Sequence, residues 1–135
     1  MVYLTRKEHF NAAHRLYHPG WSDEENERVF GMCANKNFHG HNFQLFVTVR
    51  GEPDPNTGMI MNLKELSRII QTRITEKLDH KNLNVEVEFL KGIMPSTENL
   101  AKAIFDELRQ YLSTCELHSV KLYETENNFA EYLGS

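Results

Sequence analysis

Between Asn42 and Arg50 the side chains alternate. Phe43, Leu45, Val47 and Val49 fall in one phase, and Asn42, Gln44, Thr48 and Arg50 fall in the other. A period of two belongs to a strand with one packed face and one polar face. This commits the chain to a sheet covered on one side. Residues 3–16 alternate more loosely, with Phe10, Ala12, His14 and Leu16 in phase, and read as an antiparallel neighbour. Pro53-Asp54-Pro55-Asn56-Thr57-Gly58 has turn composition, so Met59-Ile60-Met61 is expected to return as a short extra strand. Val120, Leu122 and Glu124 alternate against Lys121, Tyr123 and Thr125 in a third long strand. Phe129 to Leu133 reads as a fourth, joined through Asn127-Asn128.

Helical spacing interrupts this pattern twice. Leu63, Leu66, Ile69, Ile70, Ile74 and Leu78 make one apolar stripe, which predicts an amphipathic helix over 63–78. Pro95-Ser96-Thr97-Glu98-Asn99 is a helix start, with Ser96 or Thr97 as N-cap and Glu98 in the first turn. Leu100, Ala101, Ile104, Phe105, Leu108 and Leu112 form its buried face. Ser22-Asp23-Glu24-Glu25 is a capping box for a short helical turn up to Phe30, stopped by Gly31. Strands, two helices and strands again read as α+β. The length of 135 residues fits one domain over 1–135. A small sheet has open edges that need a partner, so self-association is expected.

A net charge of -4 without a Lys/Arg cluster argues against nucleic acid and anionic membranes as partners. No apolar run approaches the roughly 20 residues of a membrane span. The first residues carry no apolar leader. Two cysteines cannot build a disulfide framework, so a reducing, cytoplasmic setting is expected.

Seven histidines are many for this length. His39-Gly40-His41 leads straight into the strand from Asn42. On extended backbone, residues i and i+2 share a face, with Cα atoms about 6.6 Å apart. Two imidazoles on one tetrahedral zinc need nitrogens about 3.3 Å apart, a gap their side chains can close. His14, in phase with Phe10 and Ala12, is the natural third ligand. Hydrogen-bonded histidines on a sheet face are the plainer alternative. His9, His18 and His118 lack this geometry and read as surface or loop residues.

Cys33 lies six residues before His39. It can close the metal sphere as a fourth ligand, or stay off the metal as a thiolate base whose pKa is lowered by nearby positive charge. Cys115 reads as a small buried residue. Asp79-His80 suits either a carboxylate-oriented imidazole or a plain helix exit. Glu124 shares an apolar strand face with Val120 and Leu122, where a carboxylate is costly unless paired. It meets a buried cation there, or it waits for a ligand with adjacent N–H donors.

Six motifs occur in order: Phe10-x-Ala12-x-His14, Cys33-x5-His39-Gly40-His41, Pro53-Asp54-x-x-x-Gly58-Met59-x-Met61-Asn62, Leu78-Asp79-His80-Lys81-Asn82-Leu83, Thr97-Glu98-Asn99 and Tyr123-Glu124-Thr125. Together, from about Phe10 to Thr125, the chain resembles the 6-pyruvoyl-tetrahydropterin synthase family. The resemblance implies the tunnelling fold, a four-stranded antiparallel sheet with two helices on one face. It further implies trimers closing into a β-barrel and stacking as a homohexamer. It implies zinc on His14, His39 and His41. Cys33, Asp79 and His80 would be catalytic, coming together across a subunit boundary. Glu124 would anchor the pterin, assisted by Glu98. The implied reaction turns 7,8-dihydroneopterin triphosphate into 6-pyruvoyl-tetrahydropterin and triphosphate in tetrahydrobiopterin biosynthesis. Magnesium would accompany the triphosphate, and neither nicotinamide nor flavin is needed. Arg15 and Lys81 flank the site residues but read equally as solvated surface. Where some members carry Gly before His-Gly-His, this chain has Phe38. Two alternatives are 6-carboxy-tetrahydropterin synthase, which typically has three residues between the Cys and His-Gly-His, and a non-catalytic zinc-stabilised module with Cys33 on the metal.

Overall fold

The computed structural model describes residues 1–135. Five strands form one mixed sheet: β1 (Val2–His14), β2 (His39–Gly51), β3 (Lys81–Asn82), β4 (Glu116–Thr125) and β5 (Asn128–Tyr132), in the order β3-β1-β2-β4-β5. The four long strands run antiparallel, as their alternation implies. The expected count of four is corrected by β3, a two-residue strand pairing parallel with Ala12 and Ala13. Met59–Met61 is not a strand. β2 already has β1 on one side and β4 on the other, so the returning chain finds no free edge there. Ile60 and Met61 instead pack against the rim of the core.

One face of the sheet is covered. α2 (Leu63–Ile70), a π turn (Gln71–Thr75) and α3 (Glu76–Leu78) make one helical rod over the span whose apolar stripe predicted it. α4 (Thr97–Arg109) packs beside it, with Ser96 as N-cap accepting from the Asn99 N–H at 3.2 Å. Leu66, Ile70 and Ile74 meet Leu100, Ile104 and Phe105 in a core that also takes Phe43, Leu45, Val47 and Val49. Phe10 and Phe43, matched in register, stack at 4.9 Å and are fully buried. Removing such a ring costs about 3–5 kcal/mol. No helix is long and apolar enough to cross a membrane.

Two further features position side chains at one end of the sheet. α1 (Asp23–Phe30) begins at Ser22, whose Oγ accepts from the Glu25 N–H at 3.1 Å. Gly31, at φ 60°, ends it and starts the short 3-10 turn Gly31–Ala34 that carries Cys33. In β4 the register with β5 shifts between Tyr123 and Thr125, so Glu124 sits at an irregularity of the ladder. Bulges of this kind re-aim a side chain.

Candidate metal and active site

The β1–β2 register decides the metal cluster. His14 stands opposite His39, and Ala12 stands opposite His41. All three imidazoles therefore project from the face that carries Phe10 and Phe43. Ring centroids are 4.5 Å apart for His14 and His39, 5.1 Å for His14 and His41, and 4.9 Å for His39 and His41. One donor atom from each ring lies within 4.8 Å of the others. His14 is wholly buried, and its Nδ1 contacts the Pro95 carbonyl oxygen at 2.7 Å. With Nδ1 donating to that oxygen, Nε2 keeps its lone pair.

Four ring nitrogens here are buried without a hydrogen bond: Nε2 of His14, both nitrogens of His39, and Nε2 of His41. Orphaned buried polar atoms are rare in folded proteins. Burial holds all three imidazoles below the usual histidine range, against the pull of the Glu124 carboxylate. Neutral, unpartnered and convergent imidazoles are the donor set a divalent transition metal takes. The residues therefore fit a divalent ion such as zinc, which His14, His39 and His41 would hold.

Cys33 is half-buried and falls outside the group of three converging donors. Burial pushes its thiol up, and Glu124 adds to this. That reverses the sequence expectation of a lowered value, because no side-chain cation raises the local potential enough to offset burial. The Glu124 carboxylate acts on Cys33 and on all three imidazoles alike.

Glu124 meets neither Arg nor Lys. It accepts a short hydrogen bond from the Thr97 hydroxyl. Its Oε1 is 3.1 Å from His41 Nε2, a contact out of hydrogen-bond alignment. The sequence shows Thr97 as a possible cap and as part of the Thr97-Glu98-Asn99 motif, but not its bond to Glu124. Since Ser96 caps α4, the Thr97 hydroxyl is free to fix the carboxylate. Glu98 is exposed in the first turn of α4.

Asp79 and His80 stand elsewhere in the chain. Asp79 Oδ1 accepts the Asn11 N–H at 2.8 Å, and Oδ2 is 2.9 Å from His80 Nδ1. The Asn11 N–H, with His80 beside it, holds the Asp79 carboxyl below the usual range. His80 has φ 60°, a left-handed conformation that a hydrogen bond from its N–H to the Asn11 carbonyl at 2.6 Å helps secure. Its side chain is 79% exposed, beside an open groove of about 520 Å³ formed with Asn11, Gly40, His41, Asn42, Lys81 and Asn82. The pair is not part of the converging donor group of His14, His39 and His41.

Similar chains occur in animals and in Dictyostelium discoideum. A human 6-pyruvoyl tetrahydrobiopterin synthase is 47% identical over 131 residues, covering 97% of this chain and 90% of that one. The Dictyostelium discoideum enzyme of that name is 47% identical over 133 residues, covering 98% and 96%. The solved structure of Caenorhabditis elegans 6-pyruvoyl tetrahydropterin synthase superposes with a TM-score of 0.93 at 38% identity, covering 99% of this chain and 96% of that one. The family model described as 6-pyruvoyl tetrahydropterin synthase matches residues 3–135. Fold and sequence agree, and the chain belongs to the 6-pyruvoyl tetrahydropterin synthase family.

Proposed function

We propose that this chain is a zinc-dependent lyase that converts 7,8-dihydroneopterin triphosphate into 6-pyruvoyl-tetrahydropterin and triphosphate, in tetrahydrobiopterin biosynthesis. The observation that carries the proposal is the convergence of three orphaned imidazoles beside Cys33 and Glu124. His14, His39 and His41 would hold the ion, which when bound supplies Lewis acidity toward the side-chain oxygens of the substrate.

The chain's own groups account for recognition and proton movement. Glu124 accepts the paired N–H donors of the pterin's amino-pyrimidine edge, as a carboxylate does for an adjacent donor pair. Thr97 holds that carboxylate in place, and Glu98 assists at the rim. Cys33 takes and returns protons on the substrate side chain. His80, oriented by Asp79, moves the others.

The electrons balance within the substrate. Oxidation of one side-chain carbinol to a ketone delivers two electrons and two protons to a ring C=N bond. Elimination of triphosphate then turns the second carbinol carbon into a ketone through its enol. No nicotinamide or flavin is required. Magnesium travels with the triphosphate.

In the proposed assembly the Asp79-His80 dyad, which is outside the converging donor group, serves a neighbouring subunit's site. β3 and β5 are the sheet's two edges, free to pair with other copies. The proposed assembly is a homohexamer of two stacked trimers. Free Cys33 and Cys115 suit the reducing cytoplasm.

The test is incubation of the metal-loaded protein with 7,8-dihydroneopterin triphosphate and mass analysis of the product. The expected product has the mass of 6-pyruvoyl-tetrahydropterin. A carboxylated tetrahydropterin would instead assign the 6-carboxy reaction. No product, with the metal in place, would favour a zinc-stabilised module.

A further inference from the structure

The two residues after His14 join parts of the site that are distant in sequence. The β1–β2 ladder ends at the His14–His39 pair, so Arg15 has no strand partner from β2. Its N–H donates to Asn84 Oδ1 at 2.8 Å, and its carbonyl accepts from Asn84 Nδ2 at 2.9 Å. One side-chain amide thus replaces a full rung of sheet pairing. In an extended segment, the N–H and C=O of one residue point to one side and those of the next residue point to the other. Accordingly the Leu16 N–H turns the opposite way and donates to the Cys33 carbonyl at 2.8 Å. The Arg15 Nε donates to the Ala34 carbonyl at 2.9 Å, and its guanidinium lies over the Tyr17 ring at 3.9 Å.

Asn84 is itself fixed. Its N–H donates to Asn82 Oδ1 at 3.0 Å, and the preceding Leu83 N–H donates to the Ala13 carbonyl at 2.8 Å. Leu83 and Asn84 therefore grip the residues on either side of His14. The same segment follows directly from Asp79-His80. A displacement of Asn84 moves Arg15, and Arg15 and Leu16 together hold the turn that carries Cys33.

We infer that Asn84 is a positioning residue for Cys33, acting through the Arg15–Leu16 segment. The role demands an amide. Only a group with both a donor and an acceptor satisfies the N–H and the C=O of Arg15 together. An aspartate keeps the acceptor, loses the donor, and sets a negative charge against the Arg15 carbonyl. The consequence for turnover rests on the proposed role of Cys33, whereas the mechanical coupling does not.

The test uses the full chain, metal-loaded, with Asn84→Ala and the near-isosteric Asn84→Asp. The first readout is the rate of Cys33 alkylation by iodoacetamide, mapped by peptide mass and divided by the Cys115 rate in the same molecule. The second is kcat and KM on the pterin triphosphate. The ratio is expected to change about fivefold or more in both variants, since thiol reactivity follows local environment. kcat is expected to fall about tenfold with KM within twofold, as misplacement of a catalytic group lowers kcat. Metal content stays that of the parent. Should Asn84→Ala lose its fold, the same ratio in Asn84→Asp decides. A Cys33/Cys115 ratio within a factor of about two of the parent, in a folded variant, overturns the inference. A changed ratio in a protein whose parent does not turn over the pterin supports the coupling and rejects the proposed reaction.

Discussion

His14 and His39 form the last register pair of the β1–β2 ladder, with their rings 4.5 Å apart on the buried face. Strand pairing itself therefore sets two of the three donors, and the Pro95 carbonyl sets the tautomer of one. His14→Ala is expected to lower metal affinity by more than the roughly 100-fold that loss of an outer-sphere partner costs. Metal analysis after dialysis checks this. Retention of one ion per chain would remove His14 from the site.

Glu124 depends on Thr97 for its orientation. Thr97→Val removes the hydroxyl donor at nearly constant volume. A hydrogen bond to a charged group is worth about 1.5–3 kcal/mol. Pterin affinity is expected to fall about tenfold or more, while metal content is unchanged. Equilibrium binding of a reduced pterin reads this directly, and an unchanged affinity would detach Thr97 from recognition.

Phe38, directly before His39, adopts φ 66°. Left-handed backbone is hardest on β-branched residues and costs glycine nothing. Phe38→Val is expected to destabilise the fold by about 1–3 kcal/mol. Phe38→Gly is expected to cost less than Phe38→Val, because relief of backbone strain offsets the lost ring contacts. Urea midpoints of the two variants check the order, and the reverse order would contradict it.

Asp79 supplies a pH signature. Its folded pKa is depressed by the Asn11 N–H and by His80. Its stabilising contribution is therefore complete above the unfolded value of about 3.9, and is lost as pH falls through the lower folded value. Asp79→Asn removes this titration. The stability gap between parent and variant is expected to shrink as pH falls from about 6 to about 3. A constant gap across that range would contradict the assignment.

Much of this was legible in the chain, and the exceptions have physical causes. Period-two alternation exposed β1, β2 and β4, and it placed His14, His39 and His41 on one face because side-chain direction in a strand is fixed by parity. The 63–78 stripe exposed the helical rod. β3 was invisible because a two-residue strand has no period, and its pairing depends on where the helix exit lands. Met59–Met61 looked like a returning strand because a turn precedes it, yet edge occupancy is a property of the whole sheet. Thr97 and Asn84 were missed for a related reason. Each acts on a partner 27 or 69 residues away, through hydrogen bonds that leave no local pattern. The rise in the Cys33 pKa was hidden because burial cannot be read from neighbours in sequence.

The proposed chemistry needs a metal held by nitrogen alone, with sulfur kept free for proton transfer. X-ray absorption at the zinc edge on the loaded, substrate-free protein tests this most directly. The expected spectrum fits light-atom ligands at about 2.0–2.1 Å and no sulfur. A zinc–sulfur distance of about 2.3 Å, lost in Cys33→Ala, would place the thiol on the ion and contradict the proposed chemistry.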